Sequence, residues 1–527
     1  MKFSAAFFFL CSIVLAQKSK IEKSAQSGYA TIKEADLKKY LTVLASDSLE
    51  GRETTMPGQK KAARFIANHF KKLGLKPLGD SGTYLQSFDL DATSLSNESS
   101  IAVKDGGGEK SFSFWKEALS FARRDTVLRG SVVFTGFMDS KFDSATSAKF
   151  AGKFVMVFSV PKSMAYDTSA LLGRRQLVSG RRDPGSLGLI AVPAETGGGS
   201  FEQLQSMFGR FGADKPSMSL SGIQRPQRGG GSGLSVFSSP ALSNAIVQST
   251  GKTISQLRAE VVKADTFAPI FLDAVEVTIS VKMMKEVRRS ENVVGYLEGS
   301  DAKLKDEAVI FTAHYDHLGK GSDGVIFHGA DDDGSGTSMV MELAEAFVMN
   351  KVKPKRSVIF MTVAGEEKGL LGSSYYSEHP AWPLERTIAD LNTDMIGRID
   401  TIYEKMNPVP NYTYVIGSDR ISTELDSILQ VANRESENLT LDMTYNDPND
   451  PNQFYRRSDH YNFARKGVPI AFFFTGEHRD YHRPTDTVDK IEFARQEKIG
   501  KLVFYTGWKL ANVPRMLIKN VQSSEYK

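Results

Sequence analysis

At 527 residues, 41% hydrophobic and 24% charged, the chain has an ordinary globular composition and is long enough for roughly two to four domains. Its net charge of +4 arises from lysines and arginines scattered along the sequence, which gives no electrostatic case for binding nucleic acid. The single cysteine, Cys11, lies in an N-terminal apolar stretch, so a chain processed after that stretch has no disulfide or zinc–thiolate site and must hold any metal with nitrogen and oxygen ligands.

Residues 1–16 read as a cleavable signal peptide. Met1-Lys2 precedes an apolar run from Phe3 to Leu15, and Val14-Leu15-Ala16 suits cleavage before Gln17. About 13 apolar residues fall short of the roughly 20 that a spanning helix needs. Residues Phe9 and Leu10 before Cys11 are not the small residues of a lipoprotein site. No second run is long enough to span a bilayer, so a secreted or periplasmic product without stable membrane insertion is expected.

In residues 17–94, apolar positions at helical spacing predict helices over 34–46 and 58–73, the second begun by Pro57-Gly58 and ended by Gly74. Between them, Ser48-Leu49-Glu50-Gly51-Arg52-Glu53 is a polar loop, either a connector or a neighbour of an active site. Residues 95–270 change to short strand-like runs, such as 130–136 and 153–158, with no cluster of histidines and acids. They read as an inserted, mainly β domain. Within it, residues 197–233, with Gly197-Gly198-Gly199 and Gly229-Gly230-Gly231, read largely as a mobile, solvated loop.

Residues 271–527 carry a regular alternation. Strands are predicted at Asn292–Leu297, Ala308–Ala313, Ser357–Val363, Thr387–Leu391, Tyr412–Ile416 and Val468–Phe474, and helices near 334–350, 369–378, 421–436 and 489–512. This is an α/β domain with a largely buried sheet, and such sheets deliver functional groups at the carboxyl ends of their strands.

Four motifs lie at such ends: His314-Tyr315-Asp316-His317 with the acidic run Asp331-Asp332-Asp333, then Glu366-Glu367, then Asp394, and finally Glu477-His478-Arg479-Asp480-Tyr481-His482. Histidines and carboxylates in this number suit two neighbouring metal ions with one bridging carboxylate, an arrangement that makes a bridging water nucleophilic near neutral pH. A further carboxylate must move protons, and adjacent Glu366 and Glu367 allow that division. On composition alone Asp331 and Asp333 are equal candidates for ligands, although acids there also suit the start of a helix near Gly334. His478 competes with His482, while His317, His328 and His460 have no assigned metal role.

Residues 291–320 and the segments around Asp332, Glu366, Asp394 and His482 resemble the co-catalytic dizinc aminopeptidase and glutamate carboxypeptidase family, peptidase family M28. The similarity reaches back to Leu49–Glu53 and covers most of the chain outside 95–270, which resembles more weakly a protease-associated domain. The resemblance implies a three-layer α/β fold with a central mixed, mostly parallel sheet. It implies two zinc ions, one on His314, Asp332 and Asp394, the other on Asp332, Glu367 and His482, with Asp332 bridging. Glu366 takes the place of the general base, Asp316 that of a carboxylate holding the His314 ring, and Tyr481 that of a phenol steadying the tetrahedral intermediate. Peptides are the implied substrates. The expected activity is that of an aminopeptidase. A carboxypeptidase for acidic peptides, which would need a basic pocket such as Arg398, Arg456 and Arg457 could form, and a non-catalytic receptor-like protein are the alternatives.

Overall fold

The computed structural model describes residues 21–120, 122, 124–165, 183–210, 215–223, 234–321 and 323–521. The expected signal peptide and much of the expected loop 197–233 lie outside the described residues. Among those described, no helix is long and apolar enough to cross a membrane.

The chain builds a ten-stranded mixed sheet. From one edge to the other it runs Thr440–Asp442, Tyr412–Ile416, Ile470–Phe474, Thr387–Thr393, Ala308–His314, Ser357–Val363, Met283–Leu297, Leu85–Leu95 and Ser217–Leu220, with Lys76–Pro77 also pairing on Met283–Leu297. Ile470–Phe474, Thr387–Thr393, Ala308–His314 and Ser357–Val363 are mutually parallel, with His314 beside Val363, Phe311 beside Leu391 and Thr393 beside Phe473. Their carboxyl ends therefore share one rim.

Two helical layers cover the sheet. Val309, Phe311 and Ala313 face a core shared with Phe347 and Trp508, whereas Ala308 and Ile310 face the opposite core with Tyr376 and Phe463. A strand covered on both faces has no polar side, which is why these segments read as unbroken apolar runs. The helix Pro57–Lys72 follows the same logic: proline opens it, Ala62, Ile66 and Phe70 bury one face, and Gly74 ends the segment at φ 75°.

Eight further strands form a second sheet that runs from Ser100–Asp105 to Ile270–Val281 in the sequence. The expected boundary at 270 thus falls at the start of a strand belonging to this second sheet, and the turn to the main sheet comes at Lys282. The described part of the expected loop, residues 197–210 and 215–223, is also more regular than its glycines suggest. Phe201–Arg210 is a helix whose Phe201, Leu204 and Phe208 pack on Leu119, Ala191 and Phe237, and Ser217–Leu220 pairs with Leu85–Leu95 in the main sheet. The flanking glycines hid an amphipathic turn pattern of i, i+3, i+7.

Glu342 lies on the buried side of the helix Gly336–Met349 and accepts a hydrogen bond from Lys33 N at 3.2 Å. Burial, then the nearby Asp36, Glu345 and Glu497 carboxylates, push its carboxyl up to about 8. The unfolded value is about 4.3. Between these two pH values the folded chain keeps a proton that the unfolded chain has released, so stability falls as pH rises through this window. Glu342→Gln retains the acceptor for Lys33 and is expected to flatten that fall, with thermal melts showing a higher Tm than the parent at pH 8 and convergence toward pH 4.5.

Candidate metal centre

All the site residues but Asp332 stand at the end of a parallel strand or in the segment that follows it. His314 closes the strand Ala308–His314, Glu366 and Glu367 follow Ser357–Val363, Asp394 follows Thr393, and His482 sits in the segment after Ile470–Phe474. Asp332 comes from the turn Ala330–Ser335 that opens the helix Gly336–Met349. Residues far apart in sequence meet because the strands are in register.

The two oxygens of Asp332 face two different groups. Oδ1 lies 3.3 Å from His314 Nε2, which is itself 3.6 Å from Asp394 Oδ1. Oδ2 lies 3.1 Å from His482 Nε2, which is 3.3 Å from Glu367 Oε2. Atoms bound at about 2.0–2.2 Å to one ion stand roughly 3–4 Å from each other, so both groups have the spacing of a ligand set. Asp332 Oδ2 and Glu367 Oε1 are buried without a hydrogen bond, as unfilled ligand positions would be. The residues fit a pair of divalent ions sharing Asp332.

Electrostatics point the same way. Burial acts to lower the His314 pKa, but Glu366, Asp394 and Asp332 carry it well above the usual range. Against the effect of burial, the imidazoles of His482 and His317 hold Glu367 down to about 2. Burial, with Glu367, Asp459 and Asp394 adding to it, drives Glu366 well up. So dense a set of acids in a desolvated pocket is costly without cations among them.

One carboxylate ties two strand ends to the start of a helix. Asp333 accepts from His314 N at 3.1 Å through Oδ2, and from Gly336 N at 2.8 Å and Met395 N at 3.2 Å through Oδ1. Arg52 acts from below. Its buried guanidinium donates to four carbonyls: Tyr315 at 2.8 Å, Leu44 at 2.6 Å, His328 at 2.7 Å and Gly329 at 2.8 Å. Gly329 itself must be glycine, since at φ 57° a Cβ there would meet Asp332 O at 2.3 Å and the His317 ring at 2.4 Å.

Residues 292–507 match the profile of Peptidase family M28. That segment of the chain is similar to peptidase family M28. Aminopeptidase YwaD of Bacillus subtilis (strain 168) is 29% identical over 258 residues, covering 47% of this chain and 51% of that protein. Leucine aminopeptidase 2 of Trichophyton equinum is 30% identical over 206 residues, 38% of this chain and 37% of that one. The chain spans about half the length of the curated relatives it matches most strongly. Among solved structures, the aminopeptidase from Aneurinibacillus sp. strain AM-1 superposes with TM-score 0.54 at 18% identity over 95% of this chain and 98% of that chain. The zinc aminopeptidase BSAP from Bacillus subtilis gives 0.52 at 19% identity over 94% and 98%. These two share the fold.

His314, Asp332, Glu366, Asp394, Tyr481 and His482 line one cavity, and Glu367 stands behind His482, 3.3 Å from its Nε2. His314 is 1% exposed, whereas Glu366 at 12% and His482 at 18% mark the open side. Asp316 departs from the expectation. Its main-chain oxygen, 3.1 Å from His314 Nδ1, holds the ring, while its carboxylate stands 3.8 Å away and accepts instead from Thr54 Oγ1 at 2.6 Å and Glu366 N at 3.2 Å. The strand ends at His314, so the chain turns before Asp316 and presents a carbonyl rather than a side chain. Asp331 also departs from its expected place at a helix start: it accepts from Gly397 N at 2.7 Å and faces His478 at 3.3 Å. His478 is thereby removed from the metal groups. His328 pairs with Asp47, and His460 with Tyr455 O.

Two contributors are not legible in the sequence. Arg52 reads there only as part of a polar loop, and nothing local marks Asp486, which accepts from Asp331 N and Asp332 N. A buried arginine whose partners are all carbonyls has no charge pattern to reveal it. Arg52→Lys, which keeps the charge but not the planar fork, is expected to cost about 3 kcal/mol in denaturant unfolding; a variant as stable as the parent would remove Arg52 from this role.

Proposed function

We propose that the chain is a zinc-dependent aminopeptidase, exported from the cytoplasm by its N-terminal apolar stretch, that removes N-terminal residues from peptides. The observation that carries this is the division of the Asp332 carboxylate between two ligand groups. His314, Asp332 and Asp394 would hold one zinc ion; Asp332, Glu367 and His482 would hold the other. Once bound, the pair would polarise a peptide carbonyl and acidify a water.

The chain's own groups would do the rest. Glu366 Oε2 lies 3.8 Å from His314 Nε2 on the open side, close to the ligands without belonging to either group. It would accept a proton at a carboxylate oxygen and return it to the leaving amine. The Tyr481 hydroxyl, 3.4 Å from Arg457 Nη2, lines the same cavity and would donate to the substrate carbonyl oxygen. Met395, Phe454, Phe472 and Phe474 give that cavity an apolar wall, suited to an apolar N-terminal side chain.

Charge weighs against an acidic C-terminal substrate. Arg457 pairs with Glu477 at 2.8 Å on the cavity rim, and Arg398 with Asp480 at 3.0 Å, so both arginines already face carboxylates. The names of the relatives YwaD and leucine aminopeptidase 2 support the same choice. Among the described residues, none of the second sheet lines the cavity.

Two measurements test this reading. A panel of aminoacyl-anilides against acidic dipeptides, with and without chelator, should show metal-dependent cleavage of Leu-, Met- or Phe-anilides; preference for the dipeptides would overturn the substrate assignment. Glu366→Ala should keep its zinc by elemental analysis and lose about 10²–10⁴-fold in kcat; unchanged turnover would remove Glu366 from proton transfer.

A further inference from the structure

His317 has no part in the ligand set described above, yet it is fully buried at the centre of the site. Its main-chain N–H donates to Arg52 O at 3.3 Å, its ring presses on Gly329, and its ring centroid lies 5.9 Å from that of His482 in an edge-to-face arrangement. These contacts leave the ring little freedom to turn away. Nδ1 points into the group around Glu367, 2.8 Å from Glu367 Oε1 and 3.8 Å from Asp332 Oδ2.

At 2.8 Å a nitrogen and a carboxylate oxygen would ordinarily be hydrogen-bonded. Here the two atoms stand at ion-pair distance without a well-aligned hydrogen bond, and His317 Nδ1, Glu367 Oε1 and Asp332 Oδ2 are all buried. Three such atoms turned toward a shared space fit ligands whose lone pairs are directed at a common cation. They also meet the spacing for chelation, since His317, Asp332 and Glu367 offer atoms that all lie within 4.8 Å of one another.

We propose that His317 is a further ligand, through Nδ1, to the metal ion held by Asp332, Glu367 and His482, so that this ion has four protein ligands and the ion on His314 and Asp394 has three. The inference rests on the two-metal reading above. It makes the pair unequal. A four-liganded ion resembles a closed structural site, while the three-liganded ion keeps the open position that catalytic zinc sites retain. Substrate would then be received on the His314 and Asp394 side, where Glu366 also stands.

The test uses the full chain loaded with Co²⁺, whose paramagnetism shifts the ring N–H signals of coordinated imidazoles out of the protein envelope. Three exchangeable shifted N–H resonances are expected, from His314, His482 and His317. His317→Ala should lose one of them and bind one of its two Co²⁺ ions about tenfold more weakly or worse in chelator competition, with circular dichroism checking that it folds. Two shifted resonances in the parent would overturn the assignment without any variant, as would His317→Ala binding both ions with parental affinity. A parent that binds fewer than two Co²⁺ per chain would instead overturn the two-metal reading on which the proposal depends.

Discussion

The structure turns on the crowding of acids at one rim. Asp331, Asp332, Asp333, Glu366, Glu367 and Asp394 are delivered to the same small volume by parallel strands and the loops that follow them. Burying that much negative charge is strongly unfavourable unless each carboxylate has a defined partner. The fold answers with a division of labour. Asp333 is held by main-chain amides and Asp331 by the Gly397 amide through one oxygen, with His478 beside the other, which fixes the loops, while Asp332, Glu367 and Asp394 face imidazoles across gaps that suit cations.

The division explains why the nearest permanent cation does not join the acids. Arg52 donates to the carbonyls of Leu44, Tyr315, His328 and Gly329, and so holds the two loops that bracket Asp332. Had its guanidinium paired with Asp332, that carboxylate would have been neutralised and drawn away from the His314 and His482 rings that it faces. Desolvation lowers the Arg52 pKa while Asp332, Asp486, Asp316 and Asp333 raise it, so the field of the acids helps to keep the buried guanidinium charged. Each side of the arrangement makes the other tolerable.

The relation between the two sheets follows from chain geometry. Leu85–Leu95 and Met283–Leu297 enter and leave the region of the second sheet as one long antiparallel pair, with Leu95 opposite Met283, and Ser217–Leu220 returns to widen the main sheet. Lys215, just before that strand, reaches Glu53 at 2.7 Å, and Glu53 is also 3.3 Å from Lys368, the residue after Glu367. The second unit is thus tied by charge to the loops of the site while leaving the cavity walls to the main domain.

The sequence alone determined the inner strands of the main sheet, the longer helices that cover it and the identity of the acids and histidines at strand ends, because unbroken apolar runs and the residues that terminate them are local properties. It placed Ser357–Val363 and Tyr412–Ile416 to the residue and marked His314, Asp332, Glu366, Glu367, Asp394, Tyr481 and His482 as one set. Direction was not legible. Whether Asp316 offers its carboxylate or its carbonyl, whether Asp331 caps a helix or meets Gly397, and which way the buried His317 ring faces depend on turns of the backbone and on residues hundreds of positions away. Those choices are made when the parallel register brings the strand ends together and each buried polar atom must find a partner within reach, and only the tertiary structure contains that condition.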